Sequence, residues 1–228
     1  MIKRHIPNAL TCANLLSGCI GIVFAFNNRL DIAAYAVLIS GIFDFFDGNL
    51  ARLLNVKSPI GKELDSLADM VSFGFLPGVV MFKLLEQSHS TFEYLPFFGF
   101  LITIFSGLRL AKFNIDTRQT EDFIGLNTPM NTLFIVSLPF IQREHPELIG
   151  NTLLLLCLTI LMSWLLISEI RIFSLKFGTI SWADNKIKFV FLIISAVLIA
   201  FLKFAAIPFV LILYILSSFI HFRNNPYN

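Results

Sequence analysis

Apolar runs separated by short polar breaks make up most of the chain. At about 20 residues per crossing, the runs at 7–27, 31–54, 61–85, 94–114, 127–141, 149–167, 187–202 and 204–221 predict about eight transmembrane helices. The fifth run and the last pair are short or closely spaced, which puts the range at six to eight. The breaks "FNNRLD", "NVKSPIGK", "EQSHSTFE" and "QREHPE", with the long polar stretch 168–186, mark the boundaries. One stretch departs from this pattern. "DFFDGNLARLLNVKSPIGKELDSLAD", residues 44–69, sets four aspartates in or beside apolar segments. An aspartate near a bilayer centre costs about 2.5–3.5 kcal/mol, so something must balance this cluster.

Composition narrows the class. Of 228 residues, 56% are hydrophobic and 14% charged, where soluble chains carry about 25% charged residues. The expected fold is therefore an all-α, polytopic membrane bundle. A net charge of +2 argues against a nucleic-acid role, and no cleavable signal peptide is evident. With the N-terminus in the cytoplasm, one side collects Lys3, Arg4, Arg52, Lys57, Lys62, Arg109, Lys112, Arg118, Arg171, Lys176, Lys186, Lys188 and Arg223. The other side holds Arg29, Lys83, Arg143 and Lys203. This bias predicts that both termini and the acidic cluster lie at the cytoplasmic face. Cys12, Cys19 and Cys157 form no paired framework and are expected to be small buried hydrophobes.

Residues 41–72 read as the end of one helix, a tight turn at Ser58-Pro59, and the start of the next. At about 100° per residue, Asp44, Asp47, Gly48 and Ala51 share one face of the first helix. Gly61, Asp65, Ala68, Asp69 and Ser72 share one face of the second, and a short turn brings the two faces together. Four converging carboxylates repel unless protons or cations balance them. Hard oxygen donors suit Mg²⁺ or Mn²⁺. Two such ions would match four carboxylates and suit in-line phosphoryl transfer. Gly48, Ala51 and Gly61 leave room for close approach. The competing reading is an ion or proton pathway.

The spacing D-x2-D-G-x2-A-R-x8-G-x3-D-x3-D is filled by Asp44, Asp47, Gly48, Ala51, Arg52, Gly61, Asp65 and Asp69. It resembles the signature of the CDP-alcohol phosphatidyltransferase family, integral membrane enzymes that displace CMP from a CDP-alcohol with a hydroxyl nucleophile. The resemblance implies that Asp44, Asp47 and Asp65 ligate two Mg²⁺ or Mn²⁺ ions. It makes Asp69 a further ligand and the general base, and lines a CDP pocket with Gly48, Ala51, Arg52 and Gly61. It also implies a homodimer.

"IPNALTCANLLSGCIGI" and "LNVKSPIGKELDSLADMVSFGFLPG" resemble the phosphatidylserine-synthase branch, which uses CDP-diacylglycerol and L-serine. That branch's "RLARFN" and "GLPTPAAA" stretches correspond to "LRLAKFNIDT" (108–117) and "FIGLNTPMNTLF" (123–134), with Lys112, Asn127 and Asn131 in place of the usual Arg, Pro and Ala. The chain is then a single membrane domain over 1–228. Its catalytic core is 1–141, and additional helices fill 142–228.

A serine site needs a cation for the carboxylate. Arg109, Lys112, Asn114 and the Thr128-Pro129 turn lie at the right end to supply one, or to anchor the chain at the interface. Asn8, Thr11 and Asn14 on the first helix either contact the CDP phosphates and metal-bound water, or cap and hydrogen-bond locally. His5, His89, His145 and His221 form no cluster, and 168–186 reads as an interfacial stretch. The rival functions are a sister transferase acting on glycerol-3-phosphate or an inositol phosphate, a divalent-cation transporter, and a membrane scaffold without catalysis.

Overall fold

A computed structural model describes residues 5–56, 59–90, 92–116, 122–175 and 181–224. Lys3, Arg4, Lys57, Ser58, Arg118 and Lys176 lie outside the described residues, as does the side chain of Asp184. The described residues are almost wholly helical. The elements are α1 (His5–Phe26), α2 (Leu30–Leu53), α3 (Pro59–Asp69), a π-helical segment (Met70–Phe75), α4 (Leu76–Glu86), a 3₁₀ turn (Leu95–Gly99) and α5 (Phe100–Ile115). They continue with β1 (Phe123–Ile124), α6 (Thr128–Glu144), α7 (Pro146–Ile149), α8 (Thr152–Ile167), β2 (Arg171–Ile172), α9 (Trp182–Leu202), a second 3₁₀ turn (Lys203–Ala205) and α10 (Ala206–Asn224).

Each predicted apolar run holds a helix. Among the described residues, four stretches are long and apolar enough to cross a membrane: His5–Phe26, Pro59–Glu86, Leu95–Ile115 and Asn185–Arg223, the last containing most of α9 and α10. α8 is apolar but shorter. α2 has the length, at 24 residues, but carries Asp44 and Asp47. Large apolar side chains such as Leu16, Val23, Phe45 and Phe209 stand exposed on the outer helix faces, as expected where lipid is the solvent.

The cysteines correct an expectation. All three are exposed rather than buried. In a bilayer the outside of the bundle is as apolar as its inside, so a small apolar side chain gains little by turning inward.

Close packing sets the frame of the site. α1 lies tightly against the π-helical segment and α2. A Cβ on Gly18 would collide with Ser72, and one on Gly21 would come within 2.9 Å of the Ala36 Cβ. The π-helical segment begins directly after Asp69 and widens the helix there. Its carbonyls accept bonds from neighbouring helices, Phe73 from the Thr132 hydroxyl at 2.8 Å and Gly74 from the Thr103 hydroxyl at 3.2 Å. Such single-turn insertions concentrate at functional sites.

α6 begins with a cap: Asn127 Oδ1 accepts from the Met130 amide at 2.9 Å. Thr128-Pro129 is therefore the first turn of a helix rather than a free turn, with Pro placed where its missing N–H costs nothing. The polar stretch 168–186 also differs from a purely interfacial segment. Arg171–Ile172 pairs antiparallel with Phe123–Ile124, and α9 begins at Trp182.

Candidate active site

The acidic residues gather as helical periodicity dictates. α2 presents Asp44 and Asp47 toward α3, which presents Asp65 and Asp69. Carboxylate oxygens of Asp44, Asp47 and Asp65 lie within 4.8 Å of one another. Asp69, one turn further along α3 than Asp65, stands outside that triad.

Two residues of α1 hold the cluster in place. The buried Thr11 hydroxyl donates to Asp47 Oδ2 at 2.6 Å, and Asn14 Nδ2 donates to Asp69 Oδ1 at 3.3 Å. Asn14 is itself fixed, its carbonyl accepting from Ser40 and Ser72 at 3.2 and 3.1 Å. The Asn14 side-chain oxygen is buried and without a hydrogen-bond partner. The donor set is thus all hard oxygen, with one further oxygen unsatisfied beside it. That chemistry fits a divalent cation such as Mg²⁺ or Mn²⁺, and the triad can bind a metal.

Two cavities meet at Asp65. The first, about 580 Å³, lies between α1, α2 and α3 and is lined by Asn8, Thr11, Asp47, Gly48, Ala51 and Gly61, with Lys62 at its edge. A Cβ on Gly48 would meet no atom within 4 Å, so the space above it is open. Asn8 lies inside α1 rather than capping it, and faces this cavity. Arg52 does not line it. Its guanidinium is exposed and bonds along its own helix, to the Gly48 carbonyl at 3.1 Å and to Asn49 Oδ1 at 3.0 Å.

The second cavity, about 690 Å³, carries Asp65, Asp69, Arg109, Asn114 and Thr128 in an otherwise largely apolar wall built from α5, α6, α9 and α10. Arg109 is only 5% exposed. Its Nε donates to the Leu126 carbonyl at 3.2 Å, and its guanidinium carbon sits 5.1 Å from the centre of the Phe113 ring. Asn114 Nδ2 donates to the Ser66 hydroxyl at 2.9 Å, tying α5 to α3 beside Asp65. Among the described residues lining this cavity, Arg109 is the one cation. Lys112 is not brought in. It pairs with Glu169 at 2.6 Å on the exposed surface.

The structure therefore joins the four aspartates with Asn8, Thr11, Asn14, Gly48, Ala51 and Gly61 on one side and Arg109, Asn114 and Thr128 on the other. It leaves Arg52 and Lys112 outside. Sequence reasoning missed the walls from α9 and α10, including Phe191 and Tyr214. In helices so uniformly apolar, no residue marked the inward face.

The sequence model of the CDP-alcohol phosphatidyltransferase family matches residues 4–220. A Helicobacter pylori protein named "CDP-diacylglycerol--serine O-phosphatidyltransferase" is 32% identical over 168 residues, covering 72% of this chain and 70% of its own length. A Bacillus subtilis protein of the same name is 33% identical over 172 residues, covering 74% of this chain and 89% of its own. One from Methanocaldococcus jannaschii is 32% identical over 166 residues, covering 73% and 72%.

Proposed function

The chain belongs to the CDP-alcohol phosphatidyltransferase family, and we propose that it transfers the phosphatidyl group of CDP-diacylglycerol to the hydroxyl of L-serine, giving phosphatidylserine and CMP. The observation that carries this reading is the meeting of two unlike cavities at Asp65. The smaller one has small residues where a nucleotide must come close. The larger has one buried guanidinium, suited to a single carboxylate. A phosphorylated acceptor such as glycerol-3-phosphate or an inositol phosphate would call for more cations than Arg109 alone.

In this reading Asp44, Asp47 and Asp65, with Asp69, hold two Mg²⁺ or Mn²⁺ ions. Bound there, the ions offset the carboxylate charge and draw electron density from the pyrophosphate oxygens. The chain's own groups do the rest. Thr11 and Asn14 fix the orientation of Asp47 and Asp69. Gly48, Ala51 and Gly61, with Asn8, bound the space for the cytidine diphosphate. Arg109 binds the serine carboxylate and Asn114 orients the acceptor beside Asp65. Asp69 takes the hydroxyl proton as the new P–O bond forms and the bond to CMP breaks.

The excess of Lys and Arg at one set of helix ends supports a cytoplasmic active site and cytoplasmic termini, and the eight apolar runs are the ground for eight crossings. The core at 1–141 is completed by the additional helices of 142–228, since α9 and α10 wall the acceptor cavity. The homodimer implied by the family resemblance belongs to the same reading.

The test is CMP release by purified protein from CDP-diacylglycerol in detergent micelles with Mn²⁺ or Mg²⁺, comparing L-serine, glycerol-3-phosphate and inositol phosphate. Release that depends on L-serine is expected. Release driven by a phosphorylated acceptor would replace the substrate assignment, and divalent-ion flux without CMP release would replace the reaction.

A further inference from the structure

A general base that activates a serine hydroxyl activates a water molecule equally well. Asp69 lines the large cavity, so a transferase working there needs a means of keeping bulk water from the same position. The structure builds part of that cavity's lining from a short paired strap. β1 and β2, drawn from the α5–α6 and α8–α9 connections, pair antiparallel with Phe123 opposite Ile172 and Ile124 opposite Arg171.

Phe123 from one connection and Leu175 from the other both line the cavity. Leu175 is 42% exposed, so an apolar side chain of the lining also reaches the surface there. Phe123 lies 6.4 Å from Phe113, whose face carries the Arg109 guanidinium. The strap thus continues directly into the residue assigned to the acceptor carboxylate.

Its anchorage is specific. Phe173, fully buried, is wedged between α9 and α10, with ring centres 5.9 Å from Phe191 and 5.2 Å from Tyr214. The Tyr214 hydroxyl donates to the Phe173 carbonyl at 2.7 Å, and Asp122 Oδ1 accepts from the Ser174 amide at 3.2 Å. On the other side, the Gly125 amide donates to the Ile170 carbonyl at 2.8 Å. Gly125 has φ +76°, and a Cβ there would come within 2.8 Å of the Leu166 and Ser168 carbonyls. A two-residue pairing has little stability of its own. The sequence nonetheless supplies a buried aromatic plug, a glycine-only turn and three hydrogen bonds to hold it against the cavity.

We propose that the Phe123–Leu175 strap is a water-excluding wall of the acceptor cavity and sets the ratio of transfer to hydrolysis. The proposal rests on the reading of this cavity as the acceptor site. In the side reaction it suppresses, a water oxygen attacks the phosphatidyl phosphorus and the bond to CMP breaks. One water proton passes to Asp69, and the products are phosphatidic acid and CMP.

The experiment measures phosphatidic acid and phosphatidylserine formed in the same reaction, at fixed L-serine, by the full-length protein and by Phe123→Ala, Leu175→Ala and Phe123→Leu. Both products come from the same folded molecules, so the ratio is insensitive to any loss of folded protein. Leu175→Ala truncates a partly exposed side chain outside the β1–β2 pair, which makes it the mildest change. The expected result is that the two alanine variants raise the phosphatidic acid to phosphatidylserine ratio about tenfold, equivalent to about 1.4 kcal/mol of relative barrier. Phe123→Leu, which keeps apolar bulk in the opening, should stay within about threefold of the unaltered protein, below that tenfold step. An unchanged ratio in both alanine variants, with serine-dependent transfer intact in the unaltered protein, overturns the strap alone. No serine-dependent transfer by the unaltered protein overturns the acceptor reading and the strap together.

Discussion

The cavity between α1, α2 and α3 and the cavity between α5, α6, α9 and α10 both reach Asp65, yet their linings differ in side-chain size and in where the charged groups sit. The first is assembled from residues 7–65, with small residues, amide and hydroxyl groups, one carboxylate each from α2 and α3, and Lys62. The second draws on residues from Leu38 to Tyr214 and is largely apolar, with a single guanidinium set into it. One suits a polar nucleotide held at close range. The other, with its largely apolar wall and one buried guanidinium, suits a small zwitterion beside lipid. On the proposed function, the difference would separate the reaction's two partners by chemistry as well as by position, with Asp65 where the two sides touch.

The comparison breaks most completely if the shared centre is removed. Asp65→Asn, or chelation of divalent ions with EDTA, is expected to lower CMP release on the order of a thousandfold, the scale of losing several kcal/mol of charge stabilisation. EDTA-treated protein should recover with Mn²⁺ or Mg²⁺, and calorimetric titration of Mn²⁺ into Asp65→Asn should show weakened binding. Activity that survives full metal removal would sink the metal site.

The acceptor side should break alone with Arg109→Lys. Lysine keeps the charge but loses the planar fork. A rise in KM for L-serine of about ten- to hundredfold is expected, the worth of a charged hydrogen bond, with KM for CDP-diacylglycerol nearly unchanged. A parallel rise in both would merge the two cavities into one.

Gly48→Ala sharpens the donor side. A methyl group meets no protein atom there, and alanine is a better helix former than glycine by up to about 1 kcal/mol. The variant is therefore expected to be thermally more stable while its KM for CDP-diacylglycerol rises. Unimpaired donor binding would remove Gly48 from the nucleotide pocket. The smallest effect belongs to Lys112→Ala. Its pair with Glu169 is exposed, and such pairs are worth about 0–1 kcal/mol. Serine kinetics should change by less than about twofold on that scale, whereas a large KM change would return Lys112 to the acceptor site.

The same contrast explains what was legible in the sequence. The α2–α3 cluster could be read because a charge inside an apolar run is conspicuous, and because i,i+3 and i,i+4 spacing fixes which side chains share a face. Thr11 and Asn14 were visible for the same reason, as polar residues one turn apart on an apolar helix. The walls from α9 and α10 were not legible. Lipid and protein interior are equally apolar, so hydropathy cannot say which face of Phe191 or Tyr214 turns inward. Burial of the cysteines was misjudged on the same ground. Lys112 reads in sequence either as an acceptor-site cation or as an interfacial anchor; it lies three residues beyond Arg109 on α5, and its partner Glu169 is distant in sequence. The β1–β2 pairing is too short to leave any alternating pattern.

The central claim is that Asp69 stands where donor and acceptor meet and moves the acceptor's proton. It is tested most directly by measuring CDP-diacylglycerol binding and L-serine-dependent CMP release on the same preparation of Asp69→Asn. The account predicts that release falls by about 10²–10⁴-fold, the range for a lost general base, while donor affinity stays close to that of the unaltered protein. Loss of both in parallel would reduce Asp69 to a ligand of the metal site, and retained turnover would contradict the assignment outright.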